Sequence, residues 1–181
     1  LNSGVLGLAT DGTNLYVNGY FQDINNNGTI LTAADYIAKW DGTNWSALGS
    51  NGAGDGPLNP GPVVVQVDGS DLYVGGSFTN VNNNGTVLNT ADYIAKWDGT
   101  NWSALRSNGN GNGSLNQAVY TLGLVSNKLY VGGRFTDVNN NGTVLNTADY
   151  IAAIEVLPMY DLTVNTAGTG SGTVTATGIN C

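Results

Sequence analysis

Three asparagine-rich segments carry the side chains in this sequence that are best suited to chemistry. The first, Asp23-Ile-Asn-Asn-Asn-Gly28, has side-chain oxygens at positions 1, 3 and 5 and a glycine at position 6. A glycine there lets the chain turn sharply, so that the three oxygens can face one Ca²⁺ ion. The same spacing occurs twice more, and an acid follows each segment. The predicted calcium ligands are Asp23, Asn25, Asn27 and Asp35; Asn80, Asn82, Asn84 and Asp92; and Asp137, Asn139, Asn141 and Asp149.

The match to a calcium loop of the EF-hand type is incomplete. The twelfth position, normally a bidentate acid, is Ala34, Ala91 or Ala148, and the acid comes one residue later. A strand pattern follows where an EF-hand has a helix, and so few charged ligands imply binding on the order of 10⁻⁴–10⁻³ M. The competing interpretation is a simple turn, in which Asn and Gly supply left-handed backbone and Asx hydrogen bonds. Both interpretations stay open, and calcium is the one cofactor predicted.

Composition excludes several classes of function. The 181 residues include no histidine and a single cysteine, Cys181, so this segment has no Ser-His-Asp triad and no imidazole metal ligand. The net charge of −8 and five scattered cations argue against nucleic-acid binding. No apolar run is long enough to predict membrane insertion. We therefore predict no catalytic residues here; Cys181 is either a free thiol or half of a disulfide whose partner lies elsewhere.

A 57-residue repeat supplies the elements that must position the asparagine-rich segments. The sequence Leu-Tyr-Val occurs at 15–17, 72–74 and 129–131, which predicts units at about 1–57, 58–114 and 115–156, the last incomplete. β-Branched and aromatic runs separated by Gly, Asn and Asp predict four antiparallel strands per unit. In the second unit, a long loop at 79–91 is expected between the second and third strands. The fold class predicted is all-β, with flexible connections between units.

The motifs resemble those of kelch-like propellers of the galactose-oxidase type. The pattern L-Y-V-G-G-x-F, then a strand ending in W-D-G, then W-S-A-L, is also similar to repeats of bacterial surface proteins, over roughly residues 4–156. This resemblance implies a partial β-propeller of three four-stranded blades. Asn18-Gly19 replaces Gly-Gly in the first copy, and Ile154-Glu155 replaces Trp-Asp in the third, which lacks a fourth strand. Three blades are fewer than the roughly 4–8 of a closed propeller, so we expect further blades or association of copies.

Residues 157–181 differ in composition and predict a separate small β module. The segment is rich in Thr, Gly and Val, and its period-two alternation around a Gly/Ser turn predicts a short β-hairpin. It resembles the start of a Gly/Thr-rich repeat of bacterial secreted proteins, which implies an extracellular or cell-surface location. The chain begins at Leu1 inside a repeat, so we interpret it as a fragment whose signal peptide lies elsewhere.

These observations together predict a non-catalytic extracellular β-propeller module for binding, adhesion or display on a bacterial secreted or surface protein. Its predicted partner is an extracellular glycan or a surface protein. Two alternatives remain: a non-catalytic part of an extracellular glycan-active enzyme, or a calcium-stiffened structural spacer. A fragment that leaves a blade face uncovered is also expected to be poorly soluble alone.

Overall fold

The computed structural model describes residues 1–156, and the hairpin expected in residues 157–181 and Cys181 lie outside that range. The described chain contains 17 β-strands and no helix, so the all-β prediction is confirmed. It therefore offers no helix long and apolar enough to cross a membrane among those residues. The strands form open antiparallel sheets of two to four strands.

The strands fall into three groups along the chain. The first group is β1 (Val5–Thr10), β2 (Leu15–Gly19), β3 (Ile24–Asn26), β4 (Thr29–Leu31), β5 (Ile37–Trp40) and β6 (Trp45–Ser46). The second is β7 (Pro62–Asp68), β8 (Asp71–Gly76), β9 (Val81–Asn83), β10 (Thr86–Leu88), β11 (Ile94–Trp97) and β12 (Trp102–Ala104). The third is β13 (Val119–Val125), β14 (Lys128–Gly133), β15 (Val138–Asn140), β16 (Thr143–Leu145) and β17 (Ile151–Glu155).

Each group forms one larger sheet and one small hairpin. The first sheet has the order β1-β2-β5-β6, the second β7-β8-β11-β12 and the third β13-β14-β17. The hairpins β3-β4, β9-β10 and β15-β16 are inserted between the second and third strands of these sheets. Val17 pairs with Ala38, and the pairs 57 and 114 residues later have the same register. Equivalent residues therefore lie on equivalent faces of the three sheets.

The inserted hairpins replace the long loops that we expected. In the segment 79–91, β9 and β10 are joined by Asn84 and Gly85, whose φ angles are 51° and 94°. Two consecutive positive φ values define the tight hairpin turn that Asn-Gly favours. The connection at 51–62 also differs from a flexible linker, because Leu58 is buried and forms a β-bridge with Val81.

The core lies between the sheets. Tyr16, Ile37 and Leu48 of the first sheet and its connection pack against the face of the second sheet that carries Val74 and Phe78. The second and third sheets meet through the equivalent residues, including Tyr73 and Ile94 on one side and Val131 and Phe135 on the other. We call the side that meets the following sheet the back face (Tyr16, Tyr73, Tyr130 and Ile37, Ile94, Ile151). We call the side that meets the preceding sheet the front face (Val17, Val74, Val131 and Phe21, Phe78, Phe135).

The first strands of the sheets come closest to each other. Strand β7 contacts both β1 and β13, and Gly75 lies against Val119 so closely that a Cβ at position 75 would overlap its side chain. In the first sheet the equivalent of Gly75 is Asn18, which is fully buried. Its Nδ2 donates a 2.9 Å hydrogen bond to the Pro62 carbonyl of the second sheet. The departure from Gly-Gly in the first copy therefore adds a polar contact between sheets.

We predict that Gly75→Ala destabilises the protein by about 1–3 kcal/mol, since the added methyl forces Val119 or the sheets to move. Urea unfolding measures the change. Gly123→Ala is the matched control, because Gly123 also lies within a strand but a Cβ there meets no atom within 4 Å. Equal free energies of unfolding for the two variants would contradict the prediction.

Candidate functional site

Two equivalent clefts lie at the boundaries between successive units. The first has a volume of about 490 Å³ and the second about 360 Å³. Each is lined by the start of the third strand of one sheet, the connecting loop, and the inserted hairpin of the next sheet. The first cleft is lined by Gln22, Asp35, Tyr36, Asn51, Asp55, Gly56, Pro57, Leu58, Asn59, Asn80, Asn82 and Val87. The second is lined by Asp92, Tyr93, Asn108, Asn112, Gly113, Ser114, Leu115, Asn116, Asp137, Asn139 and Val144.

A strained turn presents a tyrosine to each cleft. Tyr36 and Tyr93 both have a φ of 63°, a left-handed conformation that is unusual for a bulky side chain. The Ile37 amide donates a 2.7 Å hydrogen bond to the Asp35 carbonyl, which closes a three-residue γ-turn of the rare form. Such strain costs about 1–3 kcal/mol and persists only where the surroundings hold it. Here the Tyr36 amide donates to the Phe21 carbonyl at 2.9 Å.

The aspartate of each turn joins separate parts of the chain. One carboxylate oxygen of Asp35 accepts a 3.0 Å hydrogen bond from the Asp23 amide, at the start of its own hairpin. The other accepts a 3.1 Å hydrogen bond from the Gly56 amide in the connecting loop. In the next unit, Asp92 accepts a 2.9 Å hydrogen bond from the Gly113 amide. These buried carboxylates therefore hold the connecting loop against the turn.

Asparagine side chains shape the connecting loops. The Asn51 side-chain oxygen accepts hydrogen bonds from the amides of Ala53 and Asp55, at 2.8 and 3.1 Å. The same two distances recur at Asn108 in the second loop. Each loop is then joined to the next hairpin; for example, the Asn82 amide donates to the Pro57 carbonyl at 2.8 Å. Hydrogen bonds therefore connect the turn, the connecting loop and the next hairpin, which form the walls of each cleft.

The lining of the clefts is rich in hydrogen-bond acceptors. The first cleft carries the carboxylates of Asp35 and Asp55, and the second those of Asp92 and Asp137; neither is lined by Lys or Arg from the described chain. Ser114 in the second cleft is buried, and its hydroxyl finds no partner among the described residues. Such a lining suits a ligand that donates hydrogen bonds or carries positive charge, and disfavours an anion.

The structure distributes the predicted calcium ligands over hairpins and clefts. Asn27 occupies the β3-β4 turn, and Asn84 and Asn141 occupy the equivalent turns with φ near 50°. The Asn25 side-chain oxygen accepts a 2.7 Å hydrogen bond from the Gly28 amide; Asn82 and Asn139 accept the equivalent bonds. Six of the twelve residues line the clefts, and they are Asp35, Asn80, Asn82, Asp92, Asp137 and Asn139. Asp23 lies beside Asp35, and Asp149 is exposed.

The described chain contains no cluster of three or more acidic, thiol or imidazole side chains of the kind that holds a metal ion. The predicted calcium ligands also include asparagines, whose amide oxygens are a further kind of Ca²⁺ ligand. The Asn-Gly turns and their Asx hydrogen bonds are present in all three hairpins. Calcium binding stays a prediction.

Sequence reasoning did not find the tyrosines or the connecting loops as parts of a site. The residue type of Tyr36 gives no sign of a positive φ, and the loop asparagines resemble those of a linker. A signal was nevertheless present, because residues 35–36, 51, 56 and 58–59 have identical counterparts 57 residues later. Loop residues that recur at the 57-residue spacing of the strands indicate that the connection is structured.

The pKa values of three aspartates are shifted, one upward and two downward. Burial raises the pKa of Asp92 above its ordinary value of 3.8, and the hydrogen bond from the Gly113 amide offsets part of the rise. In the exposed turns, hydrogen bonds from the Asn101 and Thr100 amides lower the pKa of Asp98. The side-chain amide of Asn14 makes the largest contribution to lowering the pKa of Asp11 to about 2. Of these three aspartates, Asp92 is the one whose pKa is raised.

Comparison with models of known families, with curated proteins and with solved structures finds no match. The geometry and chemistry of the clefts therefore carry the functional assignment.

We predict that Asp92→Asn becomes more stable relative to the wild type as pH rises from about 3 to about 7. Because its folded-state pKa is raised, the contribution of Asp92 is fully present below 3.8 and is lost as pH rises through the folded pKa. Urea unfolding at each pH measures the difference, and the Asn oxygen can still accept from Gly113. Asp149→Asn, at the exposed equivalent position, serves as the control. Parallel pH profiles for the wild type and Asp92→Asn would refute the assignment.

Proposed function

We propose that the protein is a non-catalytic binding module whose three sheets are consecutive blades of a β-propeller. The observation that carries the proposal is the recurrence of one cleft, with eight identical residues lining it at equivalent positions, at the two boundaries between sheets. A cleft built twice from a repeated sequence is a feature of a multivalent binding surface, because each unit contributes largely the same side chains.

The arrangement of the sheets supports the propeller. Each large sheet adds its strands in chain order from β1, β7 or β13 outward, which is the order of a blade. The first strands of neighbouring sheets, β1 with β7 and β7 with β13, lie in contact. Glycine at position 75 permits the close approach expected near a propeller axis.

The chemistry of the clefts favours a neutral glycan as the ligand. Sugar hydroxyls donate hydrogen bonds that carboxylate and amide oxygens accept, and a tyrosine ring offers an apolar face with a polar tip. Tyr36 packs against Gly61, whose lack of a side chain leaves room for the ring. Its hydroxyl accepts a 2.9 Å hydrogen bond from Gln22 Nε2 at the rim of the cleft.

The hydrogen bonds that a cleft carboxylate already accepts from the backbone support a non-catalytic role. Both oxygens of Asp35 accept backbone amide hydrogen bonds, so this group serves as a structural acceptor. A low-charge surface of Asn, Thr, Ser and Gly, together with the resemblance to bacterial surface repeats, favours an extracellular or cell-surface location and a role in adhesion or display.

We predict that the protein binds neutral oligosaccharides on a glycan array, and that Tyr36→Ala combined with Tyr93→Ala weakens this binding at least about tenfold, or about 1.4 kcal/mol. The reason is loss of the aromatic surface from both clefts. Tyr20→Ala is the matched control, since Tyr20 is exposed and lies outside the clefts. Absence of binding across neutral glycans, or equal loss in the control, would contradict the proposal.

A calcium-stiffened spacer is the second candidate, and the contact between Asp23 and Asp35 favours it. The 3.0 Å hydrogen bond from the Asp23 amide to the Asp35 carboxylate brings the first predicted ligand of the hairpin beside the last. Carboxylate and amide oxygens are the ligands that Ca²⁺ prefers.

For this candidate we predict that millimolar CaCl₂ raises the melting temperature and releases heat in a calorimetric titration, because calcium bound to the folded state stabilises it. Asp23→Asn should reduce both effects by removing one charge, while Asp55→Asn, outside the predicted ligand set, should leave them unchanged. The same melting curves with MgCl₂ test selectivity. No heat and no shift with CaCl₂ would exclude the calcium sites.

A further inference from the structure

The back face of the third sheet carries large apolar side chains that the described residues leave uncovered. Tyr16 and Tyr73 are 5% and 3% exposed against the following sheets, whereas their equivalent, Tyr130, is 40% exposed. Ile37 and its equivalent in the second sheet are almost fully buried, whereas Ile151 is 65% exposed. The same side chains that form the core between sheets are therefore presented to solvent at this end of the described chain.

The front face of the first sheet is uncovered in part, because Val17 and Phe21 are buried by their own unit while Leu8 is exposed. Leu8 pairs with Val17 in β1 and is 60% exposed, while its equivalent in the second sheet, Val65, is 7% exposed. Trp45 is half-buried, whereas its equivalent, Trp102, is buried and donates a 2.6 Å hydrogen bond to the Leu48 carbonyl of the preceding unit. This face lacks the contacts that a preceding sheet supplies.

The two uncovered faces are the two halves of one interface that the molecule already forms twice. Inside the chain, the Tyr and Ile of a back face always meet the Val and Phe of a front face. The third sheet presents the exposed back-face pair Tyr130 and Ile151, and the first sheet presents the front-face residues Leu8 and Trp45. The exposed residues of the two faces are therefore the equivalents of residues that pack against each other inside the chain.

We propose that a second copy of this chain docks head-to-tail, with its first sheet on the back face of the third sheet. The contact is heterologous, because the front face of one copy packs on the back face of the other. Two such contacts can close two copies into a ring. Such a ring contains six of the larger sheets, which lies within the range of about 4–8 for propellers.

Docking also completes a further cleft. Asp149 and Tyr150 are the equivalents of Asp35 and Tyr36, and Tyr150 has the same strained φ, 62°. Both are exposed and have no following hairpin among the described residues. In the head-to-tail complex, Asp23 and Asn25 of the second copy take the places that Asn80 and Asn82 occupy in the first cleft.

The test is the mass of the 181-residue chain and of two variants, measured by light scattering after gel filtration. Ile151→Asp charges the back face and Leu8→Asp the front face, and both residues are exposed, so that folding is preserved. We expect the wild type at no less than twice 18.7 kDa and each variant alone at 18.7 kDa. An equimolar mixture of the two variants should form dimers only, because one intact face of each kind remains.

Val87→Asp is the control, since Val87 is an exposed aliphatic residue that lies in an internal cleft. It should keep the wild-type mass. Circular dichroism and urea unfolding confirm that each variant is folded, and the mixing experiment is itself evidence of folded faces. Because the contact is apolar, the wild-type mass should persist at high salt, in contrast to association through surface charges.

Three outcomes would overturn the proposal. A monomeric wild type at high micromolar concentration would mean that other residues of the chain cover these faces. Self-association of Ile151→Asp or Leu8→Asp alone at the wild-type mass would indicate contact through one face with itself. Failure of the mixture to form dimers, with both variants folded, would show that the two faces are not complementary.

Discussion

The packing of one sheet on the next is the contact on which the rest of the molecule depends. Each unit buries part of its own apolar surface, as Val17 and Phe21 of the first unit show, and Tyr16 and Ile37 of the first sheet then pack in one cluster with Val74 and Phe78 of the second. A core of this kind is stabilised by removal of apolar surface from water, at about 25 cal/mol per Å². Its stability therefore combines the stability of each unit with the contacts between neighbouring units, as in repeat proteins.

The clefts are a consequence of the same contact. When two sheets pack, the third strand of one and the inserted hairpin of the next are left facing each other across the connecting loop. Asp35 and Asp92 then tie the loop to the turn through the Gly56 and Gly113 amides. The strained conformation of Tyr36 is held within its own unit by the hydrogen bond from its amide to the Phe21 carbonyl, and Tyr150 keeps the same conformation through the equivalent bond to Phe135.

The sequence predicted the strands and their repetition well, because alternation and turn residues are local properties. It also placed the insertion between the second and third strands of the second unit correctly, at 79–91. It missed the inserted hairpins, although Asn84-Gly85 between short β-branched runs is a hairpin signal. The candidate site was predicted in part: six of the proposed ligands line the clefts, but Tyr36 and Tyr93 were not foreseen. Their role arises from a backbone conformation that tertiary contacts impose and residue type does not indicate.

Sheet packing and ligand binding should also be coupled. A cleft exists only where two units are in contact, so a ligand held by Tyr36 and Asn82 bridges the first and second units. A ligand that binds the packed state and not the separated one must stabilise the packing by mass action. At the exposed pair Asp149 and Tyr150, the same reasoning applies to whatever unit docks there: occupancy of that cleft and docking of the unit must favour each other to the same extent, since the coupling free energy is reciprocal.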